Sequence, residues 1–156
     1  MKTLPAPALA ENTAIAYVYG ATLPQLGQGG CAYRIELPDG AVKVRTFFEE
    51  AGTIPKMTLY AVIDAIMARG ADGALIIRTS SDYIYEGCKT RREEWKALGR
   101  ERTGGALAHR RLWRIVDFLL TGGNVTIELV KDSPKGGGLN RVKQLAQRAA
   151  REGDCL

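Results

Sequence analysis

AIAYVYGATLPQLGQGGCAYRIELPDGAVKVRTFF, residues 14–48, is the stretch on which the fold turns. AIAYVYG (14–20) alternates as a strand, and Gly20 is read as its end. ATLPQLGQGG (21–30) reads as a turn-rich loop. CAYRIEL (31–37) and VKVRTFF (42–48) are β-branched and aromatic runs that flank Pro38-Asp39-Gly40, a hairpin signal. Together these elements predict an antiparallel three-stranded meander.

After the meander, TIPKMTLYAVIDAIMARG (53–70) reads as a helix, with Pro55 in its first turn and Gly70 as its stop. Leu59, Val62, Ile63 and Ile66 form the apolar stripe expected at helical spacing. ALIIRT (74–79) is a short apolar run between Gly73 and Ser80, as for a strand buried on both faces. Ser80 or Ser81 can cap a helix that begins near Asp82. EEWKAL (93–98) and ALAHRRLWRIVDFLL (106–120) are helical patterns separated by Gly104-Gly105. VTIELV (125–130) is the last strand, KDSPKGGG (131–138) a loop and LNRVKQLAQRAARE (139–152) a terminal helix. The predicted order is βββαβαααβα, an α/β domain with a five-stranded mixed sheet flanked by helices.

The chain has 156 residues and 17.0 kDa, enough for one domain. Hydrophobic residues make up 46% and charged residues 25%, which excludes a wholly disordered or collagen-like chain. No apolar run approaches a membrane span, and the N-terminus carries no signal-peptide pattern. Cys31, Cys88 and Cys155 give neither metal spacing nor a disulfide framework, as expected of a cytoplasmic protein. The charge is uneven. Residues 1–88 hold seven basic and nine acidic side chains, whereas residues 89–156 hold fifteen and eight. Residues 89–114 alone carry nine basic and three acidic residues, with Trp95 and Trp113 interleaved. Such polarity points to a polyanion partner, most often nucleic acid. His109 is the sole histidine, so no multi-histidine metal site or Ser-His-Asp triad can be assembled.

The residues also resemble type 1 ribonuclease H of the ribonuclease H-like superfamily. YVYGATLPQLGQGGCAYRI (17–35) is similar to that family's first strand, glycine-rich loop and second strand. IPKMTLYAVIDAI (54–66) resembles its first helix, and IRTSSDYIYEGC (77–88) its S-T-D-S-x-Y-V-x-x-G segment. EEWKALG (93–99), RRLWRIVDFL (110–119) and LVKDSPKGGGLNRVKQLAQRAA (129–150) follow in the family's order. The resemblance implies one ribonuclease H-like domain over residues 13–152, with a flexible segment at 1–12 and a short tail at 153–156.

The family cuts the RNA strand of an RNA–DNA hybrid with two divalent metals held by four carboxylates. Carried over by motif, those four positions are Tyr19, Thr58, Ser80 and Lys143, and the family's mobile histidine falls at Ser133. None is an acid. The expectation is therefore a protein that is not an enzyme, uses no metal or cofactor, and binds hybrid or duplex backbone. The resemblance implies a grip by the basic protrusion and its neighbours, Arg91, Arg92, Lys96, Arg100, Arg102, Arg110 and Arg111, with Lys143 and the glycine loop at Gly29. Such binding is salt-sensitive and largely sequence-independent. Two alternatives stand beside it: a protein-interaction or self-association scaffold, and residual or complemented ribonuclease H activity.

Overall fold

The computed structural model describes residues 12–70, 73–91, 109–132 and 134–153. Five strands form one sheet: β1 (Thr13–Leu23), β2 (Gln28–Glu36), β3 (Val42–Glu49), β4 (Ala74–Thr79) and β5 (Val125–Leu129). Their order is β3-β2-β1-β4-β5. β1–β2 and β2–β3 are antiparallel, whereas β1–β4 and β4–β5 are parallel, so the sheet is mixed as expected. The helices are α1 (Ile54–Arg69), α2 (Asp82–Glu86), α3 (Arg110–Thr121) and α4 (Gly138–Glu152), and a π-helical turn over Gly87–Arg91 follows α2. The helix expected over EEWKAL lies outside the described residues.

The local signals explain most boundaries. Gly40 adopts φ 94°, and the Ala41 N–H donates to Asp39 Oδ1 at 2.8 Å, closing the β2–β3 hairpin. Thr53 caps α1 by accepting from the Lys56 N–H at 3.3 Å, and Gly70 ends the helix at φ 63°. Ser81 caps α2. α3 starts at Arg110 after His109, which adopts φ 60°, a left-handed conformation that denies an ordinary residue a helical start.

Gly20 behaves differently from its reading. β1 continues through it to Leu23, and β2 already includes Gln28–Gly30, so the turn is confined to residues 24–27. The reason is tertiary. A Cβ on Gly20 would stand 2.5 Å from the Thr58 backbone N, so the glycine lets α1 close on the strand. Gly30 does the same for α4, where a Cβ would collide with the backbone of Ala146 and Ala150.

The two sheet faces alternate as a period of two demands. Ala14, Ala16 and Val18 join Leu75 and Ile77 against α1 and against Trp113, Val116 and Leu120 of α3. Ala21 and Ala32 pack instead on Leu139, Val142 and Ala146 of α4, with Tyr17, Tyr19 and Leu145 at the margin. Trp113 is a packing residue: it is 1% exposed, and its indole N–H donates to the Tyr83 hydroxyl at 2.7 Å. Cys31 and Cys88 are buried free thiols.

Candidate nucleic-acid interface

β1 and β4 run parallel and adjacent, so their C-terminal ends emerge side by side. The first turns of α1 cross above them because Gly20 carries no side chain. The result is a cavity of about 200 Å³ lined by Val18, Tyr19, Gly20, Ile54, Thr58, Thr79, Ser80 and Ser81. Three of the four positions that the resemblance singles out, Tyr19, Thr58 and Ser80, thus meet in one place. Lys143, the fourth, is exposed on α4 and is not among the lining residues.

Each hydroxyl here has a definite local role. Thr58 is 3% exposed, and its Oγ1 donates back along the helix to the Ile54 carbonyl at 2.7 Å. Thr79 is 1% exposed, and its Oγ1 accepts from the Ser81 N–H at 3.1 Å. Ser81 Oγ in turn accepts from the Ile84 N–H at 3.1 Å. At the rim, Lys131 Nζ donates to the Ser80 carbonyl at 3.3 Å and pairs with Asp82 at 2.7 Å. Thr79, Ser81 and Lys131 are members of this site that the sequence reading did not single out. The T-S-S run announced a helix cap, but nothing local announced that its hydroxyls face a cavity.

The remaining candidates separate into groups. Arg111 is exposed and Arg110 half-buried at the start of α3. Arg91 closes the π-helical turn, while Arg92, Lys96, Arg100, Arg102 and Ser133 lie outside the described residues. Gly29 sits inside β2, where a Cβ would stand 2.7 Å from Met57 Cγ. That is a close-packing role. On α4, Arg141, Lys143, Arg148 and Arg151 are all exposed. Burial, aided by the neighbouring Lys56 charge, holds the His109 imidazole below its ordinary pKa, which favours the neutral form.

The two divalent metals implied by the resemblance can be tested against this donor set. Magnesium-like ions are hard and gather carboxylate and carbonyl oxygens. The cavity offers hydroxyls and a phenol-bearing residue but no carboxylate side chain. Asp82, next to Ser81, is engaged by Lys131. The donors present do not fit the metals, and no step through a metal is derived.

A mixed sheet in the order β3-β2-β1-β4-β5, with helices on both faces and a cavity where the central parallel strands end, defines a ribonuclease H-like protein. The RNase H family model matches residues 11–151, and the chain belongs to that family. It is 30% identical over 141 residues to a Ribonuclease H of Paracidovorax citrulli (strain AAC00-1), covering 88% of this chain and 93% of that protein. A Ribonuclease H of Francisella philomiragia is 29% identical over 143 residues, covering 91% and 93% of the two chains.

Among solved structures, the chain is similar to LC9-RNase H1, a type 1 RNase H with the type 2 active-site motif. The TM-score is 0.77 at 26% identity, covering 92% of this chain and 74% of the other. The foamy viral protease-reverse transcriptase in complex with RNA/DNA hybrid shares the fold at TM-score 0.80 and 20% identity, over 97% of this chain and 21% of that one. These relationships correct one expectation. A reading of the chain as a non-enzyme is contradicted by relatives that are ribonucleases H over nearly their whole length and by a fold that matches RNase H enzymes.

Among the described residues, no helix is long and apolar enough to cross a membrane.

Proposed function

We propose that this RNase H family member binds RNA–DNA hybrid or a related duplex across the face that carries the cavity. The observation that carries the proposal is the family match over residues 11–151. The charge distribution supports it. Exposed Arg111 and Arg114 on α3, and Arg141, Lys143, Arg148 and Arg151 on α4, supply cationic helix faces suited to a phosphate backbone. The basic residues of the 89–114 segment, including Arg91, Arg92, Lys96, Arg100 and Arg102, extend the same grip. The foamy viral protein in complex with RNA/DNA hybrid is a structural precedent for the ligand on this fold.

In the same proposal, Tyr19, Thr58, Ser80 and Lys143 occupy the family's carboxylate positions, and recognition proceeds without a divalent metal. The test is fluorescence anisotropy with labelled RNA–DNA hybrid, double-stranded RNA, double-stranded DNA and single strands at two salt concentrations, with Mg²⁺ or with EDTA. Saturable binding to hybrid that weakens steeply with salt and persists in EDTA supports the reading. Absence of binding at low salt removes it.

A second reading, docking of a protein partner or a second copy, has one observation in its favour. Phe118 is 78% and Ile115 39% exposed, one helical turn apart on α3. Self-association that is lost in Phe118→Ser, alongside weak hybrid binding, would favour it.

A further inference from the structure

A hydroxyl group can accept two hydrogen bonds but donates only one. In the cavity at the ends of β1 and β4, the accepting side is already occupied. Thr79 Oγ1 takes the Ser81 N–H, and Ser81 Oγ takes the Ile84 N–H. Neither bond uses the hydroxyl's own proton. Among the described residues, no hydrogen bond donated by either hydroxyl is present. Thr79 is 1% exposed, so bulk water does not readily compensate its proton. It lies on the sheet face that Leu75 and Ile77 present to α1, where the cavity opens.

The electrostatic surroundings have the same sign. The positive end of the 16-residue helix α1 borders the cavity through Ile54 and Thr58, and its first turn contains no acid to offset it. Lys131 stands at the rim against the Ser80 carbonyl. Its partner Asp82 is largely exposed, and so is Lys131 itself, so water screens that pair. Proton donors, a helix N-terminus and a lysine converge on a space bounded by no carboxylate side chain. Its volume of about 200 Å³ lies below the several hundred Å³ of ordinary small-molecule sites and suits one tetrahedral group.

We infer that this cavity is an oxyanion subsite that takes a single phosphate group, held by the Thr79 and Ser81 hydroxyls at the N-terminal end of α1. The inference deepens the proposed function and rests on it for one source of the ligand, a backbone phosphodiester. The same chemistry would accept a free phosphate monoester. Thr79 is a binding residue in this arrangement, and Ser81 binds while capping α2.

The experiment maps amide shifts of the full ¹⁵N-labelled chain, first with inorganic phosphate and then with a short RNA–DNA hybrid. Native protein is used, so the result does not depend on any variant folding. Phosphate is expected to move the amides of Gly20, Thr58, Ser80 and Ser81, and the hybrid to move the same set at lower concentration. Thr79→Val should lower phosphate affinity roughly tenfold, because a hydrogen bond to a charged group is lost. Thr79→Ser, which keeps the hydroxyl, should restore it.

Phosphate shifts confined to α3 and α4, or affinity unchanged in a folded Thr79→Val protein, overturn the inference. The two sources separate cleanly. If the hybrid binds but leaves these amides unmoved, the inference falls and the duplex-binding reading stands. If phosphate moves them while the hybrid does not bind, the subsite stands with a free phosphate as its ligand and the duplex-binding reading falls.

Discussion

The molecule has a second, larger cavity, and its contrast with the first is instructive. It occupies about 380 Å³ beneath the loop between β5 and α4, and is lined by Tyr17, Arg78, Glu128, Asp132, Pro134 and Gly138 among others. Its polar groups satisfy one another. Arg78 Nε pairs with Glu128 at 3.0 Å, and Nη1 donates to the Tyr17 hydroxyl at 3.2 Å. Burial alone would lower the arginine pKa, yet the bonds to Glu128 and Tyr17 outweigh it and raise the pKa. The smaller cavity at the ends of β1 and β4 contains no such internal pair. Its hydroxyls accept from backbone amides and keep their own protons unspent. Volume is thus a poor guide to where a ligand belongs. Unspent donors are a better one.

The largest effect expected along this contrast is on affinity. Glutamate at Arg91, Arg92, Arg110 and Arg111 together should reduce hybrid binding at low salt by roughly a hundredfold or more and flatten its salt dependence. Unchanged anisotropy titrations with a folded variant would detach that basic cluster from the site. Next comes the close approach that creates the smaller cavity. Gly20→Ala forces a Cβ against the Thr58 backbone and should cost about 1–3 kcal/mol, read by denaturant unfolding. A neutral result would mean that α1 and β1 are not pressed together there.

A smaller effect is expected on α4. Lys143→Asp should weaken hybrid binding several-fold more than Lys135→Asp. Equal effects from the two would leave only diffuse attraction. Smallest of all is the larger cavity: Arg78→Met breaks a half-exposed pair and should cost no more than about 1 kcal/mol while leaving hybrid affinity unchanged. A marked loss of binding in that variant would place the second cavity in the recognition surface.

Features encoded by neighbouring residues were legible in the sequence. The Pro38-Asp39-Gly40 turn, the Thr53–Gly70 helix with Pro55 in its first turn, and the β4 run before Ser80 carry their own signals. The resemblance located Tyr19, Thr58 and Ser80, and the fold brings all three to one cavity. What depends on distant contacts was not legible. Gly20 looks like a strand terminator, but it continues the strand because α1 lies against it. Gly29 looks like part of a ligand loop, yet its hydrogen faces Met57. The hydroxyl protons of Thr79 and Ser81 acquire meaning only when β4, α2 and α1 meet. Four positions without acids suggested a non-enzyme, and the chain's relationship to ribonucleases H over 93% of a relative's length overrules that step.

The most direct test of the central claim is an anisotropy titration of a labelled RNA–DNA hybrid with the full chain in EDTA, repeated across a salt series. Saturable binding whose logarithmic affinity falls steeply and linearly with the logarithm of salt is the predicted result. No binding at the lowest salt, or binding that appears only when Mg²⁺ replaces EDTA, would contradict it.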